Sequence, residues 1–316
     1  MNEIPLLILK RLAVSAATLI VVSAVVFSIA NLLPGDAAQE MLGQSATPEA
    51  VTALREAMGL NQPPLLRYVT WLGNLLRGDA GLSLANNMPV SELITTRLPK
   101  SLTLAGLTTL FAVPLALSIG ILSAMHNGSR IDRVLSTLTL CMVAVPEFLL
   151  ATIVVFIFAV KLHWFSALSY TPPDASIGEL IRAYAMPVMT LCFVLVAQMA
   201  RMTRAAIIEQ LNQSYVEMAI LKGASLPRIT LHHALPNAIG PIANAVALSL
   251  SYLLGGVIIV EVIFNYPGVA SLMVDSVTNR DMPLLQACAM IFCAAYLVLV
   301  LVADICAVLS NPRLRK

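Results

Sequence analysis

Six long stretches of this 316-residue chain are apolar and almost free of formal charge. Residues 12–33, 101–125, 184–200, 238–260 and 283–303 contain no Asp, Glu, Lys or Arg, and residues 134–160 contain one, Glu147. A helix needs about 20 such residues to cross the hydrocarbon core of a bilayer. Unpaired backbone groups are so costly in lipid that these stretches are predicted to be helices. The expectation is an all-α membrane protein with six transmembrane helices. Composition agrees, since 59% of residues are hydrophobic and 11% charged, whereas soluble chains average roughly 25% charged. Too few polar residues remain to cover a soluble surface of this size, which excludes disorder, a nucleic-acid-binding domain and an ordinary soluble enzyme.

Six spans put both termini on one side, and the basic residues indicate which. With the N-terminus inside, the inner segments hold Lys10, Arg11, Arg130, Arg133, Arg201, Arg204, Lys222, Arg228, Arg313, Arg315 and Lys316, against Lys161, Arg182 and Arg280 in the short outer segments. The outer loop 34–100 is left out, because long translocated loops escape the positive-inside rule. This asymmetry predicts an N-in, C-in chain. Residues 12–33 follow Lys10 and Arg11 as a signal peptide would, but are too long for its apolar core, and are read as a retained first span. Cys141, Cys192, Cys288, Cys293 and Cys306 all fall in or beside apolar spans and are read as packing residues. No repeat of fixed period is present, and the chain reads as a single transmembrane domain, 1–316.

Two loops are too long to be simple connectors. In the outer loop 34–100, Thr47 is suited to cap a short helix with Pro48 at its first position, Glu49 at its positive end and Gly59 to stop it. Leu65, Val69, Leu72 and Leu76 then recur at helical spacing, with Tyr68 and Trp71 available for the membrane interface. A cap over the outer ends of the spans is favoured over a docking surface for an outside partner. In the inner loop 202–237, Gln210 to Lys222 can form a helix, Gly223 can turn it, and Leu226 to Leu235 can form another that Pro236 closes. Reversing direction does not need this length of chain, so a docking partner is expected there.

Catalytic chemistry is hard to find. Among the lysines only Lys100 precedes a Ser or Thr, Ser101, and the positions where a P-loop needs glycine hold Pro99 and Ile94. His126, His163, His232 and His233 are all assigned to loops, which leaves no span with an imidazole for a buried hydrolase or metal site. His232 and His233 would point about 100° apart on a helix and are poorly placed to share an ion. The 14 methionines show no repeated spacing and are read as gap fillers. No metal or cofactor site follows.

Charge inside the membrane often marks an ion or proton pathway. Asp304, near the inner end of the sixth span, is expected to pair with Arg313 or Arg315. Glu147 follows Pro146 in the third span and is read either as a polar group satisfied by a neighbouring helix or as part of a hydrated path. Asn244, Ser249, Ser251 and Tyr252 are further pathway candidates, with interhelical hydrogen bonding as their alternative role. An ion-coupled secondary carrier would call for several midplane ionisable residues and repeat-related broken helices, and Glu147 alone does not meet that. An intramembrane enzyme is disfavoured by the missing span histidines.

The inner loop also carries a motif. Glu217-Met218-Ala219, then Gly223, then His233-Ala234-Leu235-Pro236 resemble the EAA loop of ABC importer permeases, E-A-A-x3-G-x9-I-x-L-P, with Met218 in place of an Ala and His233 in place of an Ile. Leu33-Pro34-Gly35-Asp36 is similar to the L-P-G-D of the dipeptide, oligopeptide and nickel permeases. Gly59-Leu60 with Pro63, Tyr68, Gly78-Asp79, Gly81 and Ser83 resembles their G-L-x-x-P…Y…G-D-x-G-x-S stretch. Phe264-Asn265-Tyr266-Pro267-Gly268, Arg280-Asp281-Met282-Pro283 and Asn311-Pro312-Arg313-Leu314-Arg315 resemble their F-x-Y-P-G, R-D-x-P and N-P-R-x-R segments. The matches run from the first span to the last residues.

The resemblance implies a type I ABC importer permease in a bacterial inner membrane, the first permease of two. Its implied partners are a second, related permease, two cytoplasmic ATP-binding subunits that hold the ATP and Mg2+, and an extracytoplasmic solute-binding protein. The chain itself would be non-catalytic and free of cofactors. By this resemblance Glu217, Ala219, Lys222, Gly223, Leu235 and Pro236 form the ATPase-coupling loop, with Glu217 as the charged contact, Ala219 keeping the docking face small and Gly223 allowing the turn. Di- or oligopeptides are the expected solutes. Nickel or a metal chelate, opines and sugars are alternatives within the same class.

Overall fold

The computed structural model describes residues 3–32, 39, 42, 47–57, 59–169 and 175–310. The segments Leu33–Asp36 and Asn311–Arg315, which carry two of the motifs, lie outside the described residues. In chain order the helices are α1 (Glu3–Leu32), α2 (Pro48–Ala57), α3 (Pro64–Leu76), α4 (Val90–Met125), α5 (Arg130–Ala144), α6 (Glu147–Val154), α7 (Ile177–Leu211), α8 (Ser214–Leu221), α9 (Leu226–Arg228), α10 (Leu235–Ile263), α11 (Val269–Thr278) and α12 (Met282–Ser310). A π-helical segment, Val155–Lys161, continues α6, and another, Ile229–Ala234, joins α9 to α10. Among the described residues the only bridge between extended segments is Leu82 with Pro89.

Five helical stretches are long and apolar enough to cross a membrane: Leu9–Ile29, Val90–Met125, Ile177–Leu211, Leu226–Ile263 and Met282–Cys306. The sixth expected span, 134–160, is not one straight helix. It is a broken pair, Arg130–Ala144 and Glu147–Lys161, bent by 101°. Pro146 accounts for the break. A proline disfavours the helical region for the residue before it, and Val145 is extended at φ −85 and ψ 125. Pro146 also has no N–H to continue the ladder.

The chain divides into two compact units. The first takes in the described residues of Met1–Leu12, Leu102–Tyr266 and Tyr296–Lys316, the second those of Ala13–Ser101 and Pro267–Ala295.

In the first unit, α7 packs against α5, α6 and α10. A capping box starts α7: Ser176 Oγ accepts from Glu179 N at 3.4 Å, and Ser176 N donates to Glu179 Oε2 at 2.8 Å. Helices α4 and α7 touch at Gly120, where an added Cβ would lie 2.7 Å from Thr203 Cβ and 2.8 Å from the Ala200 carbonyl oxygen. Arg313 and Arg315, the partners expected for Asp304, lie outside the described residues; its carboxylate pairs with Arg11 at 3.0 Å. The F-N-Y-P-G turn is anchored by buried Phe264 and Tyr266, with Asn265 in the left-handed region at φ 46. Tyr266 donates to the Tyr184 hydroxyl at 3.0 Å, and burial pushes its phenol pKa up.

The second unit holds the expected outer helices. Thr47 Oγ1 accepts from Ala50 N at 3.3 Å to start α2, and Gly59, at φ 66, lies just beyond its end. Tyr68 and Trp71 of α3, expected to be available for the membrane interface, are half-buried. They pack on Phe27 with centroid distances of 5.5 and 5.6 Å, and the Tyr68 hydroxyl meets that of Ser23 at 2.7 Å. The core joins Val90 and Ile94 of α4, Val269 and Leu272 of α11, and Leu284, Ala287 and Cys288 of α12.

Candidate functional site

The inner loop begins where α7 ends at Leu211. Asn212 closes that helix, its N–H bonding the Ile208 carbonyl at 3.2 Å. The expected single helix from Gln210 to Lys222 is therefore interrupted, and α8 is a separate helix of eight residues. Val216 and Ala219, three residues apart, share one face of α8. Both are buried, against Ile229, with Leu211 and Ala224 packed around them. The small Ala219 side chain thus faces inward, where it lets α8 sit close to Ile229. The opposite face is open: Glu217 and Lys222 are exposed, as are Met218, Ile220 and Leu221. Among the described residues Glu217 and Lys222 have no side-chain partner.

Gly223 ends α8 at φ 77. Its N–H bonds the Ile220 carbonyl at 2.9 Å, and Ala224 N bonds the Ala219 carbonyl at 3.2 Å, closing the last turn through a left-handed residue as helix C-termini commonly do. A Cβ at Gly223 would meet nothing within 4 Å, so the turn requires glycine for its backbone angle and not for space.

Pro236 does not close the second inner helix. Helical backbone continues from Leu226 to Ile263, and Pro236 sits in the first turn of α10 behind the π segment. A π segment is a way to absorb a missing i→i−4 bond without ending a helix. His232 and His233 consequently lie on helix and not in a loop, and His233 O accepts from Asn237 Nδ2 at 2.8 Å. Leu235 packs against a buried cluster of Ala124, Ala206, Ile207, Ala234, Ala238 and Ile242. Leu211 touches this cluster and also the one beneath α8. Packed apolar contacts therefore run without a gap from α8 to α4, α7 and α10.

A second fixture beside the loop was missed by the sequence reading. Arg204, on α7, grips Asp132, at the start of α5, with Nε to Oδ1 at 2.7 Å and Nη2 to Oδ2 at 2.8 Å. Ser123 Oγ donates to Asp132 Oδ1 at 2.5 Å and Gly128 N to Oδ2 at 2.9 Å, while Arg204 Nη2 also reaches Asn127 Oδ1 at 3.1 Å. Asp132 is 4% exposed, and bidentate pairing with extra donors is what such a buried carboxylate needs. The S-R-I-D sequence signals the helix start, since Ser129 Oγ accepts from Asp132 N; nothing local signals a partner 72 residues away.

The pathway candidates do not form one cluster. Glu147 is half-buried at the bend, and a Cβ on Gly256 of α10 would lie 3.1 Å from its Oε2 and 3.2 Å from Leu191 Cδ2. No side chain pairs with Glu147 among the described residues. Asn244 is half-buried, Ser251 donates to the Ala247 carbonyl at 3.1 Å, and Tyr252 is 71% exposed. Ser249 is buried, and its hydroxyl has no hydrogen-bond partner among the described residues. Glu261 is a buried carboxylate that the sequence reading passed over; it lies one residue beyond the charge-free stretch. No group of three or more His, Cys, Asp or Glu among the described residues is arranged to hold a metal ion.

These features were compared with known proteins. Residues 5–105 match the family described as "Binding-prot-dependent transport system membrane comp, N-term". The chain is 34% identical over 308 residues, 98% of both chains, to the probable peptide ABC transporter permease protein y4tP of Sinorhizobium fredii. It is 34% identical over 310 residues, again 98% of both, to a putative peptide transport system permease protein of Brucella abortus. It is likewise 34% identical over 308 residues, 98% of both, to the glutathione transport system permease protein GsiC of Salmonella typhi. Residues 116–316, which include the inner loop and its EAA-like motif, match the binding-protein-dependent transport system inner membrane component family, and the chain belongs to that family as a multi-pass inner-membrane permease of an ABC importer.

Proposed function

We propose that the chain moves di- or oligopeptides inward across the membrane as one of two permeases in a complex with two ATP-binding subunits and an extracytoplasmic solute-binding protein. The relatives named for peptide and glutathione transport support the solute class. The distribution of Lys and Arg supports an N-in, C-in chain with α8 on the cytoplasmic side. The chain performs no catalysis of its own, and the ATP and Mg2+ belong to the partner subunits.

The observation that carries this reading is the two-faced geometry of α8. Val216 and Ala219 fix it to the permease, while Glu217 and the exposed Met218, Ile220 and Leu221 are left for an ATPase. Nucleotide-driven closure of the ATPases moves α8, and the clusters sharing Leu211 pass that movement to the spans. Lys222 and Gly223 set the end of the coupling helix, and Leu235 with Pro236 sets the start of α10. Glu147 supplies the charged group of the solute path, and Asn244, Ser249, Ser251 and Tyr252 of α10 are its further polar candidates.

Uptake of a labelled di- and tripeptide pool, in cells with and without this chain and with and without ATP depletion, tests the proposal. ATP-dependent uptake is expected to vanish with the chain and to return when it is restored. Unchanged peptide uptake alongside lost uptake of nickel, an opine or a sugar would move the solute to that branch.

A further inference from the structure

Two adjoining grooves open beside the Asp132–Arg204 pair in the first unit. One, of about 610 Å³, is lined by Ser136, Leu140, Gln198, Arg201, Met202 and Arg204. The other, of about 310 Å³, shares Ser136, Leu140 and Arg204 and adds Ser129, Arg133 and Thr137. Both lie where the apolar stretch 134–160 begins and the charge-free stretch 184–200 ends, which in the expected topology is the depth of the lipid head groups.

The charges are unequal. Arg133, Arg201 and Arg204 face these grooves, and Asp132 is the only acidic residue in their walls. Asp132 and Asn127 occupy Nε and Nη2 of Arg204, leaving the two N–H groups of Nη1 without a partner among the described residues. The same contacts hold that guanidinium in place, so little freedom is lost when it meets a ligand. Arg201 lies three residues from Arg204 on α7 and so on the same side. Arg133 and Arg201 are exposed, and neither has a side-chain partner among the described residues. Fixed guanidinium groups with serine, threonine and glutamine beside them suit the oxygens of a phosphate diester. Leu140 and Met202 offer apolar wall below it.

We propose that these grooves bind the head group of an anionic phospholipid, with Arg133, Arg201 and Nη1 of Arg204 on its phosphate. The site does not depend on the identity of the transported solute. It fits a pattern of basic pockets between transmembrane helices that hold acidic lipid head groups.

The test uses the complete transporter, purified from its own membranes and equilibrated with mixed phosphatidylcholine and phosphatidylglycerol, with retained lipid measured by mass spectrometry. Arg201→Gln and Arg133→Gln are each expected to lower the retained ratio of phosphatidylglycerol to phosphatidylcholine about fivefold, the weight of one basic side chain at an anionic surface. Arg130→Gln removes a neighbouring exposed charge that lines neither groove, and it is expected to leave the ratio at its starting value. Loss of the same size in Arg130→Gln would assign the lipid to diffuse surface charge and overturn the site, as would an unchanged ratio in the Arg133, Arg201 double variant. Displacement of the lipid by inorganic phosphate would make the ligand a soluble phosphate instead. Release of a partner subunit from Arg201→Gln, with lipid unchanged, would make the groove a protein contact.

Discussion

Ser83 and Asp281, 198 residues apart in the chain, meet in a buried hydrogen bond in which the Ser83 hydroxyl donates to Asp281 Oδ2. The other carboxylate oxygen accepts from Leu284 N at 3.3 Å in the first turn of α12. Two of the sequence motifs, G-D-x-G-x-S and R-D-x-P, are therefore two halves of one contact within the second unit. Ser83→Ala leaves a carboxylate that is 0% exposed short of a donor, at a cost of about 1–3 kcal/mol. Thermal unfolding of the purified complex should show a lower midpoint for Ser83→Ala, and little further loss when Asp281→Ala is added than Asp281→Ala causes alone.

Gly223 supplies a ranked comparison. Its φ of 77 costs an ordinary L-residue about 1–2 kcal/mol, and asparagine less. Peptide uptake should fall in the order Gly223, Gly223→Asn, Gly223→Val. Equal uptake by Asn and Val variants would show that the left-handed turn after α8 does not matter to coupling.

Two glycines of α4 are expected to respond in opposite ways to one methyl group. At Gly120 the added Cβ meets Thr203 Cβ at 2.7 Å and the Ala200 backbone oxygen at 2.8 Å, so Gly120→Ala must part α4 from α7 at about 1–3 kcal/mol. At Gly106 nothing lies within 4 Å, and Gly106→Ala should be neutral or stabilising by about 0.5–1 kcal/mol. The two midpoints in a thermal melt check the pair.

Asp132→Asn removes one charge of a pair whose side chains are 6% and 30% exposed. The expected loss is about 2–3 kcal/mol, discounted from the roughly 3–5 of a fully buried pair because Arg204 keeps partial contact with water. Reconstituted transporter should also carry less solute per ATP hydrolysed, since α5 is no longer tied to α7 just before α8. An unchanged ratio of transport to hydrolysis would confine the pair to a stabilising role.

Much of this arrangement was legible in the residues. Charge-free length marked the membrane helices, Thr47-Pro48 marked the start of α2, and Glu217 to Gly223 marked the inner helix and its turn. What escaped depends on distant partners. Pro146 was visible as a break, but a bend of 101° is set by what α5 and α6 pack against. Pro236 read as a terminator because the rule is local, whereas the packing of Ala234, Leu235 and Ala238 keeps the helix running through it. Arg204 was counted among inner positive charges because one sequence cannot show that Asp132 waits opposite.

The exposed face of α8 is proposed as the place where the ATPases engage. The most direct measurement is recovery of ATP-binding subunits and ATP hydrolysis with the tagged chain from its own membranes, for the unaltered protein and for Glu217→Arg. Glu217 is exposed and has no side-chain partner among the described residues, so its reversal should leave the permease folded. ATPase chains are expected to accompany the unaltered protein and to be largely lost from Glu217→Arg. Full recovery of both the subunits and their hydrolysis with Glu217→Arg would contradict this.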